Sequence, residues 1–116
     1  MKACAALMLA SLSVAAVSPA IAGQQSGFVK DIYVRDSDGL ILVDLWGTAS
    51  GHPACALQPY WIIADESSAT GQRLYALLLT AEASGHPVTI IGKDTCSRWP
   101  DAEDIESVGI SGSASP

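Results

Sequence analysis

Two segments with alternating apolar and polar residues, 28–35 and 40–46, lie on either side of the turn sequence Asp36-Ser37-Asp38-Gly39. Alternation with a period of two predicts strands that bury one face, and the turn residues between them predict a β-hairpin. In the first strand, the residues predicted to share a face are Phe28, Lys30, Ile32 and Val34. In the second strand, the residues predicted to face the core are Ile41, Val43 and Leu45.

Residues 72–84 carry the spacing of a helix instead. The side chains predicted to form its core-facing stripe are Leu74, Leu77, Leu78 and Ala81. Ser67, Ser68 and Thr70 all offer oxygens that could cap its first turn. Gly85, followed by a proline two residues later, predicts where the helix ends.

Three further segments are predicted as strands: 60–64, which is apolar on both faces, 88–91, and 105–110, where broken alternation indicates a β-bulge. The polar segment 23–27 is predicted to be a frayed start, and 111–116 a disordered tail. The resulting order is β-β-β-α-β-β, mainly β with one helix. It predicts a five-stranded OB-fold-like Greek-key barrel. An α+β sandwich with the helix on one face is the alternative.

Residues 1–22 have the composition of a cleaved signal peptide. Lys2 is followed by the apolar stretch 5–17 and then by Ala20-Ile21-Ala22, a small-x-small cleavage site. The stretch is too short to span a bilayer as a helix. Cleavage after Ala22 would leave 94 of the 116 residues, with a single domain at 23–110. The alternative is an N-terminal core helix.

The cysteine count changes once the leader is removed. Cys4 leaves with it, and Cys55 and Cys96 remain as an even pair. An exported protein meets an oxidising compartment, so a Cys55–Cys96 disulfide is predicted. Two free thiols, or half of a metal site, are the alternatives.

Charge excludes two classes of partner. All 12 acidic residues but only five of the six basic ones lie after residue 22, which gives the mature chain a net charge of about −7. An acidic surface repels phosphate backbones and anionic lipid headgroups, so neither nucleic acid nor an anionic membrane is an expected partner.

No arrangement typical of catalysis is found. His52 and His86 occur in two copies of the tetrapeptide Ser-Gly-His-Pro, where exposed turn histidines are expected, and two histidines do not complete a metal site. The chain contains no Gly-x-Ser-x-Gly sequence. The acidic residues Asp101, Glu103 and Asp104 are predicted to be solvated in a surface loop. The sequence therefore predicts a protein without enzymatic activity, metal or cofactor.

Two groups of residues are candidates for recognition. The first is a binding surface in the loop 93–104, formed by Lys93, Arg98 and Trp99. The alternative for Trp99 is a ring folded over the barrel mouth beside the disulfide. The second is an apolar band on the helix away from its core stripe, formed by Ala76, Leu79 and Ala83. A neighbouring subunit or a long loop could cover this band.

Several segments resemble the B subunits of subtilase cytotoxin-like bacterial toxins. They are Ser50-Gly51-His52-Pro53-Ala54-Cys55-Ala56, Trp61-Ile62, Tyr75-Ala76-Leu77-Leu78 up to Gly85, and Val88-Thr89-Ile90. The resemblance spans about residues 27–91. It implies an OB-fold subunit that forms a homo-pentamer and presents glycan-binding sites to a host cell surface. No sugar-binding residue is carried over to this chain.

Three functional hypotheses follow. The first is a secreted or periplasmic binding module, similar to a toxin B subunit, that recognises carbohydrate as a homo-oligomer. The second is a stand-alone periplasmic OB-like domain that binds a protein or a small molecule as a monomer. The third is a small hydrolase, which lacks a visible activated nucleophile.

Overall fold

The computed structural model describes residues 13–15 and 21–112. Within them lie six strands and one helix, so the mainly β composition with a single helix is confirmed: β1 (Gln24–Gly27), β2 (Val29–Val34), β3 (Ile41–Leu45), β4 (Trp61–Ile62), α1 (Ala69–Ser84), β5 (Val88–Gly92) and β6 (Glu103–Ile110). Most of the predicted leader at 1–22, and residues 113–116 of the predicted tail, lie outside the described residues.

The six strands form one mixed sheet in the order β1-β5-β6-β4-β3-β2. Neighbouring strands are antiparallel except for β4 and β6, which are parallel. The predicted number of five strands is therefore wrong. The predicted barrel closure also differs, because β1 and β2 stand at the two ends of the strand order.

The physical reason for the extra strand lies in the segment that was predicted to fray. Gln24 to Gly27 pair with β5 along four residues, from Gln24 opposite Ile91 to Gly27 opposite Val88. Backbone pairing stabilises an edge strand that has no apolar alternation of its own. Only Phe28 separates β1 from β2, and its carbonyl accepts a hydrogen bond from the amide of Trp46 at 2.9 Å.

The predicted hairpin is confirmed as β2 and β3. The amide of Arg35 donates to the carbonyl of Leu40 at 2.9 Å, and Gly39 adopts a φ of +76° in the turn. Ile41, Val43 and Leu45 are buried as predicted. The face predicted for the first strand is confirmed only at Ile32, which packs against the core together with Val29. The register shifts between Val29 and Asp31, and Phe28 and Val34 are exposed.

The core has two parts on either side of β4. Trp61 belongs to a larger cluster between the sheet and the helix, whereas Ile62 belongs to a smaller one with Leu40 and Ala102. The prediction that this strand is buried on both faces is therefore confirmed. The other buried members of the larger cluster are Ile41, Val43, Leu45, Ile63, Leu78, Ala81, Val88, Ile90 and Ile105.

The helix begins at Ala69, earlier than predicted, because Ser68 caps it. The Ser68 hydroxyl accepts a hydrogen bond from the amide of Gly71 at 2.9 Å. Gly85 ends the helix with a φ of +67°, as predicted. Of the predicted core stripe, Leu78 and Ala81 are buried and Leu74 is half-buried. Leu77 is 36% exposed and was placed wrongly in that stripe.

In the part of the chain that the structure describes, no helix is long and apolar enough to cross a membrane.

The cap at Ser68 leads to a first prediction. Replacing Ser68 with alanine leaves the Gly71 amide without its partner and should lower the free energy of unfolding by about 1 kcal/mol. Ser67 is the matched control, because its hydroxyl donates only to the Asp65 carboxylate at 2.8 Å. Urea denaturation followed by tryptophan fluorescence measures both variants. Equal midpoints for the two would contradict the capping role.

The Cys55–Cys96 disulfide is confirmed. The two Cα atoms lie 6.2 Å apart and the residues are 41 positions apart in sequence. The bond joins the segment before β4 to the segment between β5 and β6. A disulfide of this kind indicates an oxidising compartment.

Candidate functional site

A cleft of about 320 Å³ lies between the two halves of the segment that connects β3 to β4. Side chains from β1, β4 and β6 form its inner wall. The lining residues are Gln25, Gly47, Thr48, Ala49, Gly51, His52, Ala56, Leu57, Gln58, Pro59, Tyr60, Trp61 and Glu103. Concave sites of this kind, mostly apolar with a few polar groups, are where proteins bind small ligands.

The floor of the cleft is held in place by a buried pair, Gln25 and Trp61. The indole Nε1 of Trp61 donates to Oε1 of Gln25 at 2.8 Å. The side-chain Nε2 of Gln25 donates to the main-chain carbonyl of Leu45 at 3.5 Å. Both side chains are buried. Because the polar atoms of the pair are satisfied internally, the ring of Trp61 is fixed before any ligand arrives.

Glu103 forms the opposite side of the floor. Its side chain is 3% exposed, and its carboxylate accepts hydrogen bonds from the amides of Gly23 and Asp94. A Cβ atom at Gly92 would overlap this carboxylate, so only glycine fits beside it. The prediction that Glu103 is solvated is wrong, because it is buried and the main-chain amides of Gly23 and Asp94 supply its hydrogen bonds.

The rim carries the polar groups of His52 and Tyr60. The carbonyl of Pro53 can only accept, so Nδ1 of His52, 3.0 Å away, carries the hydrogen and leaves Nε2 to the solvent. The hydroxyl of Tyr60 donates to Asp101 at 3.3 Å. Burial, followed by the charge of Asp101, raises the pKa of Tyr60. Leu57, 77% exposed, adds an apolar contact.

The predicted binding surface, Lys93, Arg98 and Trp99, lies outside the cleft lining. The Arg98 guanidinium donates to both carboxylate oxygens of Glu66, at 2.9 and 3.1 Å, and holds the pKa of Glu66 below its ordinary value. It also donates to the carbonyl of Asp38 at 2.9 Å. Arg98 therefore fastens its loop to the hairpin turn.

Trp99 is half-buried and packs against the smaller core cluster. The Arg35 guanidinium lies 4.5 Å from the centre of its ring. The Arg35 side chain is in turn bonded to the Asp38 carboxylate, and this contact lowers the pKa of Asp38. Lys93 is exposed. Of the three residues, Arg98 and Trp99 take part in these contacts, whereas the Lys93 side chain does not.

Asp104 is fully buried, again in contrast to the predicted solvated cluster. Its carboxylate accepts hydrogen bonds from the Thr95 hydroxyl at 2.7 Å, the Ser97 hydroxyl at 2.6 Å, the Ser97 amide at 2.8 Å and the Arg98 amide at 3.4 Å. Burial acts to raise the pKa of Asp104, but these hydrogen bonds outweigh it and the pKa lies below its ordinary value. Asp101 is half-buried.

The predicted subunit-contact band on the helix, Ala76, Leu79 and Ala83, is exposed in the single chain, with Leu79 at 41%. A shallow groove beside it is lined by Leu79 and Glu82 of the helix and by Lys30, Asp31 and Ile32 of β2. The structure of one chain does not place anything on this band. Subunit contact there stays a prediction.

The cleft itself was not predicted from the sequence. Gln25 lies in the segment that was expected to fray, and Glu103 in the loop that was expected to be solvated. Trp61 was predicted only as part of a buried strand. The sequence signal pointing to this region is the run 47–60, an irregular segment with His52 among small residues that ends at Tyr60, directly before Trp61.

Among residues 13–15 and 21–112, no three histidine, cysteine or acidic side chains come together in a way that could hold a metal ion.

The chain was also compared with known proteins, which could reveal relatives that bind at the same position. The resemblance to subtilase cytotoxin-like B subunits stays a prediction. No protein-family model, no curated protein and no solved structure matches the chain.

Proposed function

We propose that this protein is an exported, non-enzymatic binding module whose cleft takes a small neutral ligand of the carbohydrate class. The observation that carries the proposal is the composition of the cleft. It combines the half-buried ring of Tyr60 with the hydrogen-bonding groups of His52 and Gln58, above a floor that includes the buried indole of Trp61. A sugar ring has an apolar C–H face that stacks on an aromatic ring and hydroxyls that bond to planar polar groups.

The size and charge of the cleft narrow the ligand further. Its volume of about 320 Å³ is at the lower end of small-ligand sites, which suits one or two sugar rings. The net charge of about −7 on the chain after residue 22 disfavours anionic ligands. Neutral hexoses and N-acetylhexosamines are therefore favoured over sialic acids.

The strand order supports an OB-like Greek-key architecture for this module. If β1 and β2 are counted as one bent strand broken at Phe28, the remaining order and the parallel β4–β6 pair follow the five-strand arrangement of that barrel. In that description, the bent first strand would bring the two ends of the sheet together. The OB fold serves many ligands, so the carbohydrate assignment comes from the cleft and not from the fold.

A second candidate, a module that binds a protein partner, is favoured by a different observation. Phe28, just before β2, and Trp46, just after β3, are each more than half exposed, and the Trp46 amide donates to the Phe28 carbonyl at 2.9 Å. Exposed apolar side chains in one region often mark a contact with another protein. Native mass spectrometry measures the oligomeric state of the protein. A ring of five subunits would support the toxin-B-like assembly, whereas a monomer would support a stand-alone domain that binds a protein partner.

Binding is tested on a glycan array that carries neutral and sialylated structures, using the non-reduced protein. Neutral glycans should bind, and a negative array would contradict the proposal.

The contribution of the rim is tested by replacing His52 with alanine. Loss of one neutral hydrogen bond should weaken binding roughly five- to tenfold. His86 provides the matched control, because it lies in an identical Ser-Gly-His-Pro sequence but bonds to Ser84 at the end of the helix, away from the cleft. Isothermal titration calorimetry with a bound glycan should therefore show unchanged affinity for His86→Ala. Equal losses for the two variants would place the site elsewhere.

A further inference from the structure

Glu103 holds a buried negative charge with no positively charged side chain beside it among the described residues. The ion pairs formed by Lys30, Arg35 and Arg98 all end on other carboxylates. Its hydrogen bonds come from main-chain nitrogens: Asp94 donates to Oε1 at 3.0 Å, and the Gly23 nitrogen lies 3.0 and 3.2 Å from the two oxygens. A buried carboxylate without a cation is costly, so this arrangement calls for a positive charge.

In the unprocessed chain the Gly23 nitrogen is an amide, and one hydrogen is shared between two oxygens. Hydrolysis of the Ala22–Gly23 bond would change this. One water molecule is consumed, Ala22 gains a carboxylate, and Gly23 gains an α-ammonium with three hydrogens and a positive charge. The small-x-small sequence Ala20-Ile21-Ala22 predicts cleavage at this same bond. The contacts of Glu103 and the cleavage sequence therefore point independently to the Gly23 nitrogen.

We infer that Gly23 is the N-terminus of the functional protein and that its α-ammonium forms a buried ion pair with Glu103. The inference rests on the export that is part of the proposed function. A signal-processing peptidase supplies the cleavage, and the fold supplies a site that receives the new terminus.

The position of Gly23 does not depend on the residues before it. The Gly23 carbonyl accepts from the Gly92 amide at 2.8 Å, and Gln24 exchanges two hydrogen bonds with Ser50, at 3.0 and 2.7 Å. These contacts would remain after cleavage. Space around Gly23 is also tight, because a Cβ atom would lie 2.9 Å from the Gly51 carbonyl oxygen and 3.0 Å from the Trp61 ring. Only glycine therefore fits at this terminus.

Cleavage would also change the cleft. Ile21 and Ala22 lie against Gly51, where a Cβ atom would be 3.3 Å from the Ile21 side chain and 3.5 Å from the Ala22 carbonyl. Gly51 and Glu103 both line the cleft. Removing residues 21 and 22 would uncover the rim at Gly51, and the new charge would fix Glu103 in the floor.

The test begins with the full chain exported from bacterial cells. The intact mass of the non-reduced product should correspond to a chain that starts at Gly23. The native protein is then treated with an acetylating N-hydroxysuccinimide ester near neutral pH, and labelling at each amine is measured by peptide mass spectrometry. Lys30 and Lys93, both exposed, are internal controls for reagent activity.

The Gly23 amine should react at least about tenfold more slowly in the native protein than in urea, a ratio that corresponds to about 1.4 kcal/mol. Glu103→Gln should remove most of this protection, whereas Glu106→Gln, the same change at an exposed position of β6, should keep it. Protection that is equal in both variants would mean burial without an ion pair and would overturn the inference. If Glu103→Gln does not fold, the pH dependence of labelling in the wild-type protein decides. An ion pair raises the pKa of the Gly23 amine above its ordinary value of about 8, whereas burial alone lowers it, and a lowered pKa would overturn the inference.

The outcomes separate this inference from the proposed function. A processed protein whose Gly23 amine reacts as fast as in urea, or one that begins at another residue, overturns the ion pair and leaves export standing. A chain that stays in the cytoplasm with residues 1–22 attached overturns both.

Discussion

Replacing Cys55 and Cys96 together with alanine is expected to lower the free energy of unfolding by about 4 kcal/mol, the value that the chain-entropy account gives for a loop of this length. The disulfide closes a loop between positions 41 apart, which spans β4, the helix and β5. Small domains are stable by only about 5–15 kcal/mol, so the loss would remove a large share of the total.

Urea denaturation at neutral pH, followed by tryptophan fluorescence, measures this loss. Wild-type protein with the disulfide reduced is the natural control and should unfold close to the double variant, because both lack the same constraint. A double variant with the midpoint of the oxidised wild type would mean that the bond adds nothing to stability. The chain-entropy account of its contribution would then be wrong.

Replacing Asp104 with alanine is expected to be the second most damaging change, at about 3 kcal/mol, because it leaves buried donors without an acceptor. Those donors are the hydroxyls of Thr95 and Ser97 and the amide of Ser97. Asp101 is the matched control. It is half-buried, and among the described residues its carboxylate accepts a hydrogen bond only from the Tyr60 hydroxyl, at 3.3 Å, so Asp101→Ala should cost well under half as much.

Asp104 also predicts the direction of a pH effect. Its pKa is lower in the folded protein than in the unfolded chain, so the carboxylate stabilises the fold above about pH 4, the ordinary aspartate pKa. That contribution is lost as the pH falls below this value and through the folded pKa. Wild-type protein should therefore lose more stability between about pH 4 and pH 2 than Asp104→Ala does. Parallel curves for the two proteins would contradict the assignment.

The hairpin, the helix and the disulfide could be predicted because each is encoded locally or by a simple count. Ile41, Val43 and Leu45 alternate regardless of which strand lies next to them, and Gly85 ends the helix wherever it packs. Cys55 and Cys96 leave one intramolecular pairing once Cys4 is set aside. In such cases the signal in the sequence does not depend on distant parts of the chain.

The strand β1 and the buried acidic residues could not be predicted in the same way. Gln24 to Gly27 form a strand because β5 offers them a backbone edge, which their own side chains do not indicate. Glu103 and Asp104 are acidic residues of a kind that usually faces water, yet the fold surrounds them with amides and hydroxyls from other segments. Tertiary contacts decide both cases.

The candidate site shows the same limit. The cleft draws its floor from β1, β4 and β6 and its rim from residues 47–60, so no single stretch of sequence carries it. The loop residues Arg98 and Trp99 suggested recognition by their chemistry alone. In the fold, they bind Glu66, Asp38 and Arg35 and hold the loop to the hairpin.

The central claim, that the cleft binds a neutral sugar, is tested most directly by two-dimensional ¹H–¹⁵N NMR of the oxidised protein during titration with a glycan from the array. The resonances of the Trp61 indole, the Gln58 side-chain amide and the backbone of residues 48–52 should shift together and saturate with one affinity. Shifts confined to the loop 93–100, or to the exposed face of β2, would contradict the claim and move the binding site out of the cleft.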